Sequence, residues 1–167
     1  MKKLILIPTA ISSIRIAVLP LFFYLYNSGN TAFCLVLFAL AAATDLFDGY
    51  TARKLKVTSK FGGYYDATTD FALIIGIYLL FAAEGFYPIW LLILITASFA
   101  QFLATNRYAK KPYDPVGRYI GSALYIGIVL TLVSPEQVTV AFVQYAFAVF
   151  FVVSIVSRIV SLVKNRG

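Results

Sequence analysis

Residues 45–70 read DLFDGYTARKLKVTSKFGGYYDATTD and contain four of the seven acidic residues of the chain, Asp45, Asp48, Asp66 and Asp70. The first two are three positions apart, and the last two are four positions apart. If both segments are helical, the members of each pair lie on one face of their helix. Apolar runs flank the stretch on both sides, so the sequence predicts two helices that carry carboxylates within a mostly apolar protein.

Residues with almost no side chain accompany both acidic pairs. Gly49 and Ala52 continue the first stripe at helical spacing, and Gly62 precedes the second pair by about one turn. Carboxylates beside such residues suit a divalent metal ion whose bulky phosphate ligand lies against the backbone. Small residues also let transmembrane helices pack closely, and this alternative stays open.

The composition indicates a membrane protein. Of 167 residues, 61% are hydrophobic and 13% are charged, and the mean hydropathy is +0.86; a soluble domain of this length would not carry so much apolar surface. The single cysteine, Cys34, and the lack of histidine exclude a disulfide framework and a His/Cys zinc site. The net charge is +7, and the basic residues lie between apolar runs. This placement favours a membrane surface over nucleic acid as the partner.

Six apolar stretches approach the length of about 20 residues that a membrane-spanning helix needs. They cover approximately residues 4–26, 31–50, 62–83, 87–106, 116–133 and 137–162. The turns after the first, third and fifth stretches lack Lys and Arg, and every basic residue except Arg15 belongs to the other side. The positive-inside rule then places both termini in the cytoplasm. The predicted fold is all-α, a polytopic membrane protein with six transmembrane helices in a single domain over residues 1–167. Tyr87 and Trp90 are predicted to form an aromatic anchor at the outer interface.

This topology places the first acidic pair near the cytoplasmic end of the second span and the second pair one to two turns inside the third. We expect the four carboxylates to meet in a cavity that opens to the cytoplasm. Oxygen ligands without nitrogen or sulfur favour Mg²⁺ or Mn²⁺ over Ca²⁺. The alternative is that these carboxylates form ion pairs with Arg15 or Arg53, which would neutralise part of their charge.

The spacing D-x2-D-G-x2-A-R-x8-G-x3-D-x3-D resembles the signature of the CDP-alcohol phosphatidyltransferase family, and all eight defined positions are filled. The resemblance implies an integral membrane enzyme that transfers a phosphatidyl-type group, either diacylglycerol phosphate or archaeol phosphate, from a CDP-linked lipid to a small polar alcohol and releases CMP. It implies two metal ions, Mg²⁺ or Mn²⁺, at Asp45, Asp48, Asp66 and Asp70, with Asp70 also acting as general base. It further implies a homodimer.

The resemblance also implies a set of donor-binding residues. Gly49, Ala52 and Gly62 would leave room for the cytidine nucleotide, Arg53 would contact a phosphate, and Ser12 belongs to an opening segment. That segment, PTAISSIR at residues 8–15, resembles the family's PNxxTxxR, with Thr9 in place of Asn and Ser12 in place of Thr. It brings Arg15 near the active site, although snorkelling would also explain an arginine at this depth.

A cluster of basic residues is predicted to bind the acceptor together with Arg15: Arg107, Lys110, Lys111 and Arg118. The alternative is that these charges follow the topology and bind anionic lipids. Gly117-Arg118 resembles the Gly-Lys of relatives that use glycerol 3-phosphate or inositol phosphate, and no Gly-Leu-Pro segment of the serine-using relatives is present. The expected acceptor is therefore a phosphorylated polyol.

Two other functions fit an acidic cluster in a membrane protein. An ion- or proton-coupled transporter would need a polar access route from the outer side, where the predicted spans are almost wholly apolar. A membrane prenyltransferase also uses aspartates and Mg²⁺ on a pyrophosphate donor, but it carries two separate Asp-rich motifs and lacks the Asp-Gly-x2-Ala-Arg arrangement. The expected location is the cytoplasmic membrane, with the active site facing the cytoplasm.

Overall fold

The computed structural model describes the backbone of residues 2–54, 60–108 and 119–164, and the side chains of residues 15–44, 64–104, 119–157 and 160. These residues form six α-helices and no strand, so the all-α prediction is confirmed for them. The helices are α1 (Lys2–Asn27), α2 (Thr31–Lys54), α3 (Lys60–Ala83), α4 (Ile89–Tyr108), α5 (Ile120–Val133) and α6 (Gln137–Lys164). Each overlaps one of the six predicted apolar stretches.

Glycines end α1 and α3 in tight turns. Gly29 and Gly85 have φ angles of +74° and +83°, a left-handed conformation that residues with a Cβ rarely adopt. After α1, the Asn30 N–H donates to the Leu25 carbonyl at 3.0 Å, which satisfies one of the last carbonyls of the helix. The connections α1–α2, α3–α4 and α5–α6 are the three short turns that the sequence predicts.

Two helices contain stretches that are long and apolar enough to cross a membrane, Tyr64–Ala83 in α3 and Gln137–Ser157 in α6. Shorter apolar stretches lie in three others, at Thr31–Thr44, Ile89–Ala104 and Ile120–Val133. These bounds refer to the part of the chain that the structure describes. The prediction of six spans with cytoplasmic termini stays a prediction.

The fold has two compact units that divide between Ile77 and Tyr78, within α3. In the first unit, α1 packs along α2. Phe22 of α1 and Phe38 of α2 are buried there, as is Cys34, whose thiol lies 3.8 Å from the Phe22 carbonyl oxygen. Cys34 is therefore a small packing residue of this unit. The prediction of a single domain over residues 1–167 stays a prediction.

In the second unit, α5 and α4 both contact α6. Apolar residues at a spacing of four positions give α5 a buried stripe, which consists of Ile120, Leu124, Ile128 and Leu132. Tyr78, at the start of this unit, donates its hydroxyl to the Leu124 carbonyl at 3.2 Å. Gly127 provides the space for this contact, because a Cβ there would meet the Tyr78 hydroxyl.

Tyr87 is not the interfacial anchor that the sequence predicts. Its side chain is 3% exposed, and its hydroxyl lies 2.6 Å from Thr131 Oγ1. Thr131 donates its own proton to the Gly127 carbonyl at 2.7 Å, so Tyr87 is the donor in this pair. A buried hydroxyl partner thus holds Tyr87 inside the unit, whereas Trp90 is 39% exposed.

Candidate active site

Arg15 of α1 connects the two carboxylates of α3 that belong to the motif. Its side chain is 1% exposed, and its Nη1 atom lies 3.1 Å from Asp66 Oδ1. The same nitrogen also forms an ion pair with Asp70 Oδ1. Oxygen atoms from two carboxylates therefore converge on one guanidinium nitrogen, and the arrangement joins residues that are 51 and 55 positions apart in the chain.

The local structure of α3 explains why these two carboxylates are available together. Asp66 and Asp70 are four positions apart on a continuous helix, so they lie on the same face. Their side chains are 37% and 24% exposed. The hydroxyls of Thr68 and Thr69, by contrast, donate to carbonyls of their own helix, Tyr64 at 2.7 Å and Asp66 at 2.8 Å. These two hydroxyls thus bond within α3, whereas the two carboxylates contact Arg15 of α1.

Gly76 of α3 gives room to the side chain of Leu19 of α1. A Cβ at this position would lie 2.6 Å from Leu19 Cδ2. Leu19 follows Arg15 by one helical turn on α1, so the close approach is next to the ion pair. Gly76 is not among the residues that the motif indicates; its signal in the sequence is a small residue inside an apolar helix, which often marks a helix contact in a membrane protein.

The described carboxylates fit a hard divalent cation. Both present an oxygen to a common point that already accommodates positive charge, and oxygen ligands are those that Mg²⁺ and Mn²⁺ prefer. Among the side chains that the structure describes, no group of three or more His, Cys, Asp and Glu residues lies close enough together to hold a metal ion. The remaining two predicted ligands, Asp45 and Asp48, have side chains outside that set.

The backbone of α2 confirms that the first half of the motif is helical. Asp45, Asp48, Gly49, Ala52 and Arg53 all lie within this helix, and their side chains lie outside the described residues. The same holds for Ser12 in α1, Gly62 in α3 and Arg107 in α4. Lys110, Lys111 and Arg118 lie outside the described residues altogether. The roles that the sequence predicts for all of these residues stay predictions.

Comparison with known proteins gives a consistent set of relatives. The chain is 39% identical over 90 residues to a CDP-diacylglycerol--glycerol-3-phosphate 3-phosphatidyltransferase of Wigglesworthia glossinidia brevipalpis, which covers 52% of this chain and 49% of that protein. Proteins of the same name from Yersinia enterocolitica and Sodalis glossinidius are each 36% identical over 88 residues, which cover 51% of this chain and 48% of theirs. The chain thus spans about half the length of the curated relatives it matches. No solved structure matches it significantly.

The family assignment rests on a longer match. The family model described as CDP-alcohol phosphatidyltransferase matches residues 5–163, which include the complete motif and all six helices in whole or in part. The resemblance that the motif indicates is therefore confirmed over nearly the whole chain. The chain belongs to the CDP-alcohol phosphatidyltransferase family.

Proposed function

We propose that this protein transfers the phosphatidyl group of CDP-diacylglycerol to the hydroxyl of glycerol 3-phosphate and releases CMP, as a step of phospholipid synthesis. The observation that carries the proposal is the convergence of Asp66 and Asp70 on one cationic point, in a chain that fills every position of the family signature. The relatives named for glycerol 3-phosphate support this acceptor over other phosphorylated polyols such as inositol phosphate.

In the proposed reaction, Asp70 accepts the proton of the acceptor hydroxyl. The hydroxyl oxygen forms a bond to the phosphorus that carries the lipid. The bond from that phosphorus to the bridging oxygen of the pyrophosphate breaks, and CMP leaves with the bond's electron pair. The family resemblance gives this role to Asp70, and its carboxylate, at 24% exposure, is accessible to an acceptor hydroxyl.

Two divalent ions, Mg²⁺ or Mn²⁺, are proposed at this cluster. Asp45, Asp48, Asp66 and Asp70 would hold them, because all four supply oxygen ligands and lie on helical backbone at a spacing of three or four positions. When bound, such ions neutralise the pyrophosphate and stabilise the phosphate that departs.

The remaining predicted site residues divide between the two substrates. We assign the donor to Ser12, Gly49, Ala52, Arg53 and Gly62, and the acceptor to Arg15, Arg107, Lys110, Lys111 and Arg118. Guanidinium groups suit the acceptor, because they bind phosphate oxygens in a bidentate way.

We propose that the protein lies in the cytoplasmic membrane, with six spans, cytoplasmic termini and its site facing the cytoplasm. A CDP-linked lipid donor is itself held in a bilayer. The apolar side chains that the helices expose support this location, with Phe33 of α2 at 64%, Ile93 of α4 at 62% and Val149 of α6 at 63% exposure. Such surfaces suit contact with lipid tails or with a second copy, and a homodimer is part of the proposal.

The test is CMP release by the purified protein in detergent or lipid vesicles. CDP-diacylglycerol is supplied with Mg²⁺ or Mn²⁺ and, in separate reactions, with glycerol 3-phosphate, inositol 1-phosphate, inositol or serine. We expect CMP release with glycerol 3-phosphate, loss of the release in EDTA, and recovery when the metal is returned.

The other outcomes point elsewhere. Release with another acceptor would keep the reaction class and replace the acceptor. If the protein binds CDP-diacylglycerol but releases no CMP with any acceptor, neither glycerol 3-phosphate nor any other compound tested is the acceptor. Folded protein that binds neither the CDP-lipid nor a metal would refute the proposed reaction and return attention to a transporter.

A further inference from the structure

We propose that Arg15 is an internal counter-cation that holds Asp66 and Asp70 while their metal is absent, and that the metal ion displaces its guanidinium. The displaced guanidinium is then available to a phosphate of the substrate. This inference rests on the metal site of the proposed function, and it assigns Arg15 a second role besides the acceptor contact.

The geometry carries the first step. Both carboxylates direct Oδ1 to the same Nη1 atom of Arg15, at 3.1 Å for Asp66. A divalent ion that bound these same two oxygens, at the roughly 2 Å typical of Mg²⁺, would take the place of that nitrogen. The ion and the guanidinium would also repel each other at such a short separation. The two cations therefore compete for one position.

The burial of Arg15 shows why the pair is needed when the metal is absent. The side chain is 1% exposed, and a charged group so far from water requires a counter-charge. Asp66 and Asp70, for their part, would repel each other at this spacing without a cation between them. The ion pair balances both requirements within the chain itself.

A bound divalent ion reverses this balance. It would neutralise the two carboxylates, so that they no longer balance the charge of the Arg15 guanidinium. An anionic ligand then restores neutrality, and the guanidinium is the side chain best suited to bind a phosphate. Binding of the metal and of an anionic substrate would therefore support each other through Arg15.

The experiment measures the thermal unfolding midpoint of the purified protein in EDTA and in saturating Mn²⁺. Three proteins are compared: the unchanged chain, Arg15→Met, and Lys164→Met, which removes one positive charge from the C-terminal end of α6. In EDTA we expect the midpoint of Arg15→Met to fall by roughly 5 °C or more, because the substitution removes the guanidinium that both carboxylates contact. In Mn²⁺ we expect this deficit to shrink by at least half, since Mn²⁺ binds the variant more tightly. Lys164→Met should match the unchanged chain in both conditions.

An equal deficit with and without Mn²⁺ would overturn the proposal, because Arg15 would then be a permanent structural partner of the carboxylates. No deficit in either condition would overturn it too. If Arg15→Met does not fold, Arg15→Lys is used, which keeps the charge but loses the planar group; its midpoint should lie nearer the unchanged chain in Mn²⁺ than in EDTA. If Mn²⁺ leaves the midpoint of the unchanged chain itself unaltered, the metal site of the proposed function has failed, which is a different result.

The second step has its own readout. In saturating Mn²⁺, Arg15→Met should bind glycerol 3-phosphate about tenfold more weakly than the unchanged chain, because a charge-assisted hydrogen bond to the phosphate is lost. Equal binding would overturn the assignment of the displaced guanidinium to a substrate phosphate.

Discussion

Replacing Asp70 by Asn tests the assignment of the general base with little change in shape. The amide has nearly the size of the carboxylate, and its oxygen can still accept a hydrogen bond from Arg15. It cannot, however, take a proton from the acceptor hydroxyl. The substitution therefore separates the chemistry of Asp70 from its contribution to folding.

The structure sets the expected size of both effects. Asp70 shares Arg15 with Asp66, so Asp66 stays as a charged partner of Arg15 when residue 70 becomes neutral. Exchanging a charged hydrogen-bond acceptor for a neutral one costs about 1 kcal/mol, which lowers the unfolding midpoint by roughly 2–4 °C in a chain of this size. Loss of a general base reduces the rate by about 10²- to 10⁴-fold, or about 3–5 kcal/mol of activation free energy. The catalytic effect should thus exceed the effect on stability several-fold.

The assay follows CMP release from CDP-diacylglycerol with glycerol 3-phosphate, and the unfolding midpoint is measured on the same preparations. The matched control is Glu84→Gln, the same chemical change at an exposed carboxylate directly after α3. We expect the control to keep the rate of the unchanged chain. The base assignment is refuted if Asp70→Asn turns over at that rate as well. If the substitution abolishes CMP release and also lowers the unfolding midpoint far more than expected, the role of Asp70 is in folding.

Three further predictions follow from the described contacts and from the metal site. Gly127→Ala should lower the unfolding free energy by about 1–3 kcal/mol, because its Cβ would meet the Tyr78 hydroxyl. Gly121→Ala is the control and should not destabilise the protein, because nothing lies within 4 Å of a Cβ there. Equal effects of the two substitutions in thermal unfolding would contradict this packing. Tyr87→Phe should cost about 1 kcal/mol through loss of the hydrogen bond to Thr131, and an unchanged unfolding midpoint would argue against that bond. Removal of divalent metal by EDTA should stop CMP release, with recovery in Mg²⁺ or Mn²⁺ but not in Na⁺; release that persists in EDTA would refute the metal requirement.

Several features of the fold follow from local patterns alone. Long apolar stretches predict the helices, because burial and backbone hydrogen bonding favour a helix wherever water is scarce. Gly29 and Gly85 end helices at predicted turns, since their backbone conformation excludes most other residues. The helical state of both halves of the motif was likewise predictable, because a spacing of three or four positions is a property of one helix.

A side chain that suits two environments is not placed by local patterns. Tyr87 has the amphipathic ring of an interfacial anchor and lies at the end of a predicted span, and its neighbours Phe86 and Trp90 favour the same interpretation. Its actual location depends on Thr131, a hydroxyl 44 positions away that offers a buried partner. Hydropathy patterns carry no information about such a partner, because it belongs to another helix.

For this protein, the sequence alone determined the all-α class and the membership of the CDP-alcohol phosphatidyltransferase family. It also located the carboxylates on which the proposed chemistry depends. These properties are encoded by composition and by spacings within single helices. Only the tertiary structure decided that Arg15 contacts Asp66 and Asp70, and that Leu19 of α1 packs against Gly76 of α3. The physical reason is that a buried charge takes the partners that packing brings within about 3 Å, and packing between α1 and α3 depends on side-chain volumes more than 50 positions apart.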